Sequence, residues 1–588
     1  MEITGTIERI NGSLVLANFL EKPKIGDLVE IGELKLMGEI VRLTENIAAI
    51  QCYESTSGLK PGEPVKDGGK PLVAELGPGL IGTIFDGVQR SELELWNLSG
   101  PFISRGISIL PLDRKKQWNF IPKVKKGEEV NEGDIIGTVQ ETAAIEHRIL
   151  VPVDWKGTIT NISEGKFTVT EPIATISTSE GEREFLMMQT WPVRSPRPFR
   201  ERIPLTMPLI TGQRVIDTFF PVAKGGAACI PGGFGTGKTV ALQQIAKWAD
   251  ADIIIYIGCG ERGNEMADVV THFPEIVDPK TGSKLIERTI IVANVSNMPV
   301  SAREASMYMG ITMAEYFRDQ GYDVAVMADS TSRWAEALRD ISGRLEEIPA
   351  ESGFPAYLAD RIAEMYERAG RVYTLGRGER IGSVTTLGAV SPPGSDFSEP
   401  VTTHTLRFVG TFWALDQELA FRRHFPAINW LRSFTRYLSL SAKWWSKFDP
   451  TWEQLRARAL GLLEDASEIE ETARIIGEKA LPDEQRLVLL LSEMIREGFL
   501  VQSAYHEVDT YCDAEKQAKL LRVIMDFYDA TMPLVSRGIP IEQIREMKVI
   551  SEIMRLKERK GTAEIDRVRG EMLAQIGDLA KKYEGVKE

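Results

Sequence analysis

Residues 232–239 constrain the fold of this chain more than any other segment. They read GGFGTGKT and fit the pattern G-x-x-x-x-G-K-[ST]. An apolar run at 227–230 precedes them, and residues 240–249 carry apolar side chains at helical spacing. A strand, a glycine-rich loop and a helix in this order surround phosphate oxygens with backbone N–H groups and a helix N-terminus. The sequence therefore predicts a phosphate-binding P-loop in a parallel α/β core.

Within this loop the pattern assigns separate tasks to two side chains. The Lys238 ammonium is expected to reach the β- and γ-phosphates, and the Thr239 hydroxyl is expected to ligate Mg²⁺. The alternative is a glycine-rich turn at the end of a strand with no ligand. The other residues predicted to bind the nucleotide through this loop are Gly232, Gly233, Phe234, Gly235, Thr236 and Gly237.

Composition limits the class of protein. The chain has 588 residues, of which 43% are hydrophobic and 26% charged, so it can bury a core over several domains. Its net charge of −14 argues against a surface that tracks nucleic acid, and we expect no nucleic-acid partner. The sequence has neither a signal-peptide pattern nor a run of about 20 apolar residues. Any membrane role is therefore expected to come through partner proteins.

The four cysteines are scattered along the chain, with no C-x-x-C motif and no Cys/His cluster. This distribution predicts neither a zinc site nor a disulfide framework, and it fits a reducing cytosol.

The pattern of elements predicts a multidomain α/β protein. The sequence divides into an N-terminal β-barrel, a connector, an inserted β-rich domain, a RecA-like P-loop domain with a parallel sheet, and a C-terminal helical domain. We expect the inserted domain to be a structural or interaction module, since no lysine occupies the hairpin tip that a lipoyl carrier would need. The predicted boundaries are 1–70, 71–110, 111–190, 191–437 and 438–588.

Two acidic residues follow predicted strands of the parallel sheet. Asp329 ends the apolar run 324–328, where a carboxylate can support the Mg²⁺ shell, usually through water; the alternative is a cap on the next turn. Glu261 and Arg262 follow the strand after the P-loop helix, and ligands of such sheets bind at the carboxyl ends of strands. The acid can orient an attacking water and the guanidinium can balance phosphoryl charge. The alternative is a surface turn with an ordinary ion pair.

Two phenylalanines near turns have the flat apolar face that stacks on adenine. Phe425 precedes a proline and follows the basic residues 422–424, and Phe499 lies near Gln502. On chemistry alone, core packing is an equally good interpretation of both rings.

These motifs together resemble the catalytic A subunit of V-type and archaeal A-type rotary ATPases over essentially the whole chain. The resemblance is carried by the P-loop and four further segments, and the β-rich segment near 110–190 distinguishes this family from flagellar-export ATPases and from the F-type β subunit. One departure is Gly233, where many relatives carry proline. The further segments are CGERGNE at 259–265, ADSTSRWAEA at 328–337, SPPGSD at 391–396 and FPAINW at 425–430.

The resemblance implies a rotary ATPase subunit that uses ATP or ADP with Mg²⁺. Lys238 would contact the γ-phosphate. Thr239 would contact the Mg²⁺, and Asp329 would support the metal shell. Glu261 would contact the lytic water. Arg262 would contact the released phosphate. Phe425 and Phe499 would form the walls of the adenine site. Three copies would alternate with three B subunits, which supply an arginine in trans, around a central stalk. A peripheral stalk and H⁺ or Na⁺ transport at the cytoplasmic face of a membrane are implied as well.

Two other classes share parts of this pattern. A hexameric RecA-like motor on nucleic acid shares the P-loop and a Gly-Glu-Arg segment, but it fits poorly with the acidic charge and the long helical C-terminus. A non-catalytic, nucleotide-sensing ring subunit usually lacks one of Lys238, Thr239 and Glu261, all of which are present here.

Overall fold

A computed structural model describes residues 3–100, 104–278 and 282–584. The chain forms two compact units, each built from separate stretches of sequence. The first unit comprises Met1–Pro204, Lys224–Cys229 and Ala251–Val409, and the second comprises Leu205–Ala223, Ile230–Asp250 and Gly410–Glu588. The five domain boundaries predicted from the sequence remain a proposal beside these units, and their outer ends at 1–2 and 585–588 lie outside the described residues.

The first unit begins with a closed six-stranded barrel of order β1-β2-β5-β4-β3-β6. Alternation of inward apolar and outward polar residues drives its closure, and the interior holds fully buried side chains such as Val15, Phe19 and Ile50. This closed barrel confirms the N-terminal β-barrel predicted from the sequence. The strands are β1 (Ile3–Asn11), β2 (Leu14–Phe19), β3 (Asp27–Ile31), β4 (Leu36–Thr44), β5 (Ile47–Cys52) and β6 (Pro64–Pro71).

A β-rich segment follows within the same unit, as the sequence predicts. It holds two four-stranded antiparallel sheets of order β10-β13-β15-β16 and β12-β11-β9-β14, and β17 pairs with β7. The elements are β7 (Val73–Leu76), β8 (Ile84–Phe85), α1 (Glu92–Ser99), β9 (Trp118–Pro122), β10 (Glu129–Val130), β11 (Ile135–Gln140), β12 (Glu146–Leu150), β13 (Gly157–Ile162), β14 (Gly165–Phe167), β15 (Ala174–Thr178), β16 (Gly181–Phe185), β17 (Gln189–Pro192) and β18 (Glu201–Arg202).

The core of the first unit is a parallel sheet, which confirms the predicted α/β class. Neighbouring strands β24, β22, β20, β21 and β8 run parallel, with β23 antiparallel at β24. Burial on both faces explains the unbroken apolar run of β20. In chain order, β19 (Ala227–Pro231) leads out of this unit into α2 (Lys238–Trp248) of the second. The remaining elements are β20 (Ile253–Glu261), α3 (Gly263–His272), β21 (Thr289–Val295), α4 (Val300–Asp319), β22 (Asp323–Asp329), α5 (Thr331–Arg344), α6 (Leu358–Glu367), β23 (Gly370–Tyr373), β24 (Ile381–Val390) and α7 (Pro400–Phe408).

The second unit is mainly helical beyond residue 438, which confirms the predicted helical C-terminus. Pro482 and Pro540 precede helices, as expected for proline at a helix start. No described helix is long and apolar enough to cross a membrane. The later elements of the second unit are β25 (Thr411–Phe412), α8 (Gln417–Phe421), β26 (Phe434–Thr435), α9 (Leu438–Trp445), α10 (Trp452–Ile476), α11 (Asp483–Ile495), α12 (Ala514–Ser536), α13 (Ile541–Arg545), α14 (Lys548–Arg555) and α15 (Ala563–Glu584).

Candidate active site

The glycine-rich loop of the second unit adopts backbone conformations that require glycine. Gly235 and Gly237 have φ of +78° and +88°, a region that L side chains rarely adopt. A Cβ on Gly232 would lie 2.6 Å from both Leu415 Cβ and Thr236 Oγ1. The loop therefore turns tightly enough to point successive N–H groups inward, as a phosphate cradle does.

The loop ends at the N-terminus of α2, which lacks a side-chain cap. Gly237 occupies the N-cap position and offers no side-chain acceptor to the first turn. Lys238 follows directly, and its Nζ donates to the carbonyls of Gly232 at 2.6 Å and Gly233 at 2.9 Å. Uncapped N–H groups and an ammonium beside them form an anion site, in which phosphate oxygens can replace those carbonyls as acceptors.

A cavity of about 430 Å³ continues from this loop within the second unit. Its size falls in the range of small-molecule sites, and its walls are mostly apolar. Three segments form the main walls: the loop and first turns of α2, residues on either side of α8, and the stretch after α11; Gln213 and Ile216 complete the lining. The residues that define these walls are Gly235, Thr236, Gly237, Val240, Ala241, Gln244, Leu415, Arg423, Phe425, Pro426, Ala427, Val501, Gln502, Ser503, Ala504 and Tyr505.

Two aromatic side chains flank this cavity. Phe425 lies beside the phosphate loop, since a Cβ on Gly237 would be 3.6 Å from the Phe425 ring. The Phe425 backbone carbonyl accepts a hydrogen bond from the Gln502 N–H at 2.8 Å, which ties two walls together. Tyr505 also lines the cavity and is 91% exposed, so its ring is accessible to a ligand.

Phe499, which the resemblance places at the adenine, does not line this cavity. Its side chain is fully buried, and its ring packs edge-to-face on Phe219 at 5.8 Å between centroids. Phe499 belongs to a π-helical turn at 496–500 that continues α11, so its ring points into the helical core. The sequence signal for Tyr505 was an aromatic residue in the polar stretch that follows that turn.

A buried arginine fixes the segment that forms the third wall. Arg214 pairs with Asp509 at 2.7 Å, and its side chain also donates to the carbonyls of Phe499 and Val501. Its backbone N–H donates to Gln502 Oε1 at 2.8 Å. Because both charges are almost fully buried, loss of either partner would leave the other unpaired in the core. Arg214 is therefore a positioning residue for the cavity wall, which sequence analysis missed.

In the first unit, the predicted acids lie at the carboxyl ends of two adjacent parallel strands. Glu261 ends β20 and Asp329 ends β22, and the register pairs Asp329 with Gly258. Asp329 is buried, and Tyr256 donates its hydroxyl to Asp329 Oδ2 at 3.0 Å. The edge of the sheet thus gathers carboxylates where parallel α/β sheets place their chemistry.

The Glu261 carboxyl is the more perturbed of these acids. Burial raises its pKa to about 7, and the charge of Asp329 and a hydrogen bond with Glu265 contribute to that rise. An acid that titrates near neutral pH can accept a proton from water and release it again at that pH. Shifts of a side-chain pKa by burial and by specific neighbouring charges are common at functional sites.

Glycine at 260 lets two arginines approach the end of β20. Gly260 has φ +69°, and a Cβ there would lie 2.8 Å from Arg303 Cδ and from Arg333 Cβ. Arg333 forms an ion pair with Glu336 at 2.9 Å, and the negative charges of Glu261 and Glu265 further raise its pKa. Arg303 and Arg333 add positive charge beside the acids, and sequence analysis did not single them out.

Arg262 occupies the N-cap position of α3, and over half of its side chain is exposed. Its guanidinium lies 3.9 Å from Glu265, a loose contact for an ion pair. An exposed guanidinium at this position is accessible to an anionic ligand from solvent.

Each unit, taken by itself, supplies an oxygen donor of the kind that Mg²⁺ takes in nucleotide sites. No cluster of three or more His, Cys, Asp or Glu side chains that could hold a metal occurs in the described ranges. Magnesium in nucleotide sites is usually held by phosphates, waters and one or two protein oxygens rather than by a full protein cage. The Thr239 hydroxyl in the first turn of α2 and the Asp329 carboxylate are oxygen donors of this kind.

Comparison with protein families finds four matching models along the chain. Residues 7–69 match the β-barrel domain of the ATP synthase alpha/beta family, and 109–194 match the barrel-sandwich domain of its subunits. Residues 212–435 match the nucleotide-binding domain of that family. Residues 441–545 match the C-terminal domain of V and A type ATP synthases.

Relatives that align over nearly the whole chain give the same result. The A subunit of the A-type ATP synthase from Thermococcus onnurineus is 55% identical over 582 residues, covering 98% of this chain and 100% of the relative. Relatives of the same name from Methanopyrus kandleri and Thermofilum pendens are 57% and 54% identical over 94% and 98% of this chain and 94% and 97% of their own lengths. Among solved structures, the assembled ATPase EscN of the enteropathogenic E. coli type III secretion system superposes with a TM-score of 0.63. It covers 88% of this chain and 99% of its own length at 22% identity, a similarity of fold.

Proposed function

Because the chain belongs to the A subunits of A-type ATP synthases, within the ATP synthase alpha/beta family, we propose a specific division of labour among its residues. Family membership makes the chain an ATP-binding, catalytic subunit of a rotary, ion-translocating ATP synthase. The residue roles rest on two features of this chain. The phosphate loop leads into a helix that has no side-chain cap, and burial raises the pKa of Glu261, at the end of β20, to about 7.

The proposal assigns the phosphates to the second unit. N–H groups of residues 232–239 and the N-terminus of α2 hold the β- and γ-phosphates, and the Lys238 ammonium moves from loop carbonyls to the γ-phosphate. Thr239 would donate an oxygen ligand to Mg²⁺, and Asp329 would support the metal through water. When bound, the metal neutralises charge that develops on the phosphate oxygens during transfer.

The proposal assigns the attacking water to Glu261. Its carboxylate accepts a hydrogen bond from the water, aims it at the γ-phosphate and takes up the proton as the water attacks. Arg262, whose side chain is over half exposed, contacts the phosphate that is released. In the synthesis direction the same groups act in reverse, and Glu261 returns the proton to the departing water.

The acid limb of the pH profile tests the environment of Glu261. Because burial and neighbouring carboxyls raise its pKa to about 7, kcat/KM for ATP is expected to fall as pH drops below about 7. Protonated Glu261 cannot accept the proton of water. Glu265→Gln removes a like charge and should shift this limb to lower pH, while turnover at about pH 8.5 remains because the acid is ionised there. A limb that does not move in this variant would contradict the link between the two acids.

The cavity beside the phosphate loop is proposed to hold adenine between Phe425 and Tyr505. Stacking of an aromatic ring on a base contributes about 1–3 kcal/mol, so Tyr505→Ala is expected to weaken ATP binding by about 5- to 150-fold. Because the Tyr505 side chain is exposed, its truncation should not unfold the protein, so a loss of ATP affinity would report on binding. Tyr505→Phe keeps the ring and serves as the matched control, with affinity near that of the wild type. Calorimetric titration with ATP measures both, and equal affinity in the alanine variant would remove Tyr505 from the site.

The finer assembly is also a proposal. We place three copies alternating with three B subunits, each contributing an arginine in trans, around a central stalk, with a peripheral stalk and a membrane sector that moves H⁺ or Na⁺. The protein then lies on the cytoplasmic face as a peripheral part of the complex. Nucleotide-dependent postures of the C-terminal helices would drive rotation through differential binding.

Reconstitution from purified subunits tests this assembly. The chain alone is expected to bind ATP and to turn it over barely at all, because the trans arginine is missing. Addition of the partner B subunits should restore hydrolysis, and membranes containing the whole complex should show ion-dependent activity. Full activity of the isolated chain would contradict the proposed shared site.

A further inference from the structure

Arg423 stands out in the second unit because its backbone is strained and its side chain lines the cavity. It has φ +60°, in the left-handed region that non-glycine residues rarely adopt. Two hydrogen bonds explain the conformation: Arg423 N–H donates to Ala420 O at 3.0 Å, and His424 N–H donates to Leu419 O at 2.9 Å. This pair is the Schellman motif at the end of α8, with Arg423 at the position after the C-cap.

Glycine is the usual residue at that position, because it has no Cβ to clash in the left-handed conformation. An arginine there costs stability relative to glycine. Its guanidinium has no hydrogen bond, ion pair or ring contact with the part of the chain that the structure describes. Backbone strain without a local benefit is a feature of residues kept for binding or catalysis.

The neighbouring arginine shows the contrast. Arg422 is exposed, lies 3.7 Å from Glu418 one turn earlier on α8, and does not line the cavity. Arg423 is also exposed at the surface, but it is one of the residues that line the cavity with Phe425 and Tyr505. The two side chains therefore share charge and sequence context and differ in whether they reach the cavity.

We propose that Arg423 is a further binding residue of this cavity, where its guanidinium contacts the nucleoside part of the bound nucleotide. The inference rests on the proposed binding of ATP at this site and assigns no step of the reaction to Arg423. A planar guanidinium can lie over the face of a base and donate to its ring nitrogens or to ribose oxygens. The cavity walls, being mostly apolar, weaken the competition from water for such contacts.

The test compares ATP with inorganic tripolyphosphate, which carries the phosphates without the nucleoside. Calorimetry on the full chain is expected to show ATP binding weakened about 3- to 30-fold by Arg423→Gly, the range of cation–π contacts. Tripolyphosphate affinity should stay unchanged. Arg423→Lys keeps the charge and should recover part of the loss, and Arg422→Gln is the matched control with no change.

The glycine variant also separates binding from folding. Because glycine relieves the left-handed strain, the thermal midpoint of Arg423→Gly without nucleotide should equal or exceed that of the wild type. Unchanged ATP affinity, an equal loss for tripolyphosphate, or a lowered midpoint would each overturn the inference. Wild-type chain that binds tripolyphosphate but not ATP would overturn the proposed nucleotide site itself, which distinguishes that failure from a failure of Arg423 alone.

Discussion

Replacement of Glu261 by glutamine is expected to reduce ATP hydrolysis by the assembled complex by about 10²–10⁴-fold, the usual contribution of a general base. Glutamine keeps the size and a hydrogen-bonding oxygen but cannot take up the proton of the attacking water. Glu261 ends β20 and is not part of the phosphate loop 232–239, so the substitution leaves the loop residues unchanged. Binding of Mg-ATP should therefore persist.

Steady-state ATPase assays and nucleotide titrations of the same preparation measure the two expectations separately. Glu265→Gln is the matched control, because it removes a carboxylate from the same cluster without removing the proposed base. It should retain most of the turnover at alkaline pH. Hydrolysis near the wild-type rate in the Glu261 variant would take Glu261 out of the mechanism.

Lys238→Ala is expected to impair both binding and turnover. Loss of one charge-assisted hydrogen bond, about 1.5–3 kcal/mol, should weaken Mg-ATP binding about 10- to 150-fold. Loss of a charge aimed at the transferring phosphate should lower turnover by about another 10²–10³-fold. The Lys238 ammonium already contacts the Gly232 and Gly233 carbonyls, so it lies at the loop before any ligand arrives.

Lys247→Ala provides the control for this substitution. Lys247 lies in the last turn of the same helix, beside the Trp248 ring at 5.0 Å, and does not line the cavity. Removal of its charge should leave ATP affinity and turnover unchanged. Hydrolysis in the reconstituted complex that survives Lys238→Ala would favour a nucleotide-sensing role for this chain over a catalytic one.

The fold class could be predicted from the sequence because its signals are local. The P-loop pattern fixes a strand, a loop and a helix, and the apolar run of β20 and the helical spacing of α10 set their own elements. Strands β3 and β6 have weak local signals, because β3 has only five residues and β6 is rich in charged residues and glycine. The barrel fixes them through pairing with distant strands, which no local pattern records.

The site was predictable where a motif carried it and not where packing decided it. The loop glycines and the acids at the ends of β20 and β22 follow from sequence order in a parallel sheet. Phe499 and Tyr505 are six residues apart; the Phe499 ring is buried within the π-helical turn at 496–500, whereas Tyr505 lies beyond that turn and lines the cavity. The left-handed backbone of Arg423 is likewise set by hydrogen bonds that the sequence does not reveal.

A structure of the assembled complex with a Mg-nucleotide trapped at the hydrolytic step would test the central claim most directly. The account predicts phosphate oxygens within hydrogen-bond distance of the N–H groups of 235–239 and of Lys238 Nζ. It also predicts a water held by the Glu261 carboxylate at about 2.6–3.2 Å and in line with the γ-phosphate. A Glu261 side chain directed away from the phosphate, with no ordered water between them, would contradict the assignment.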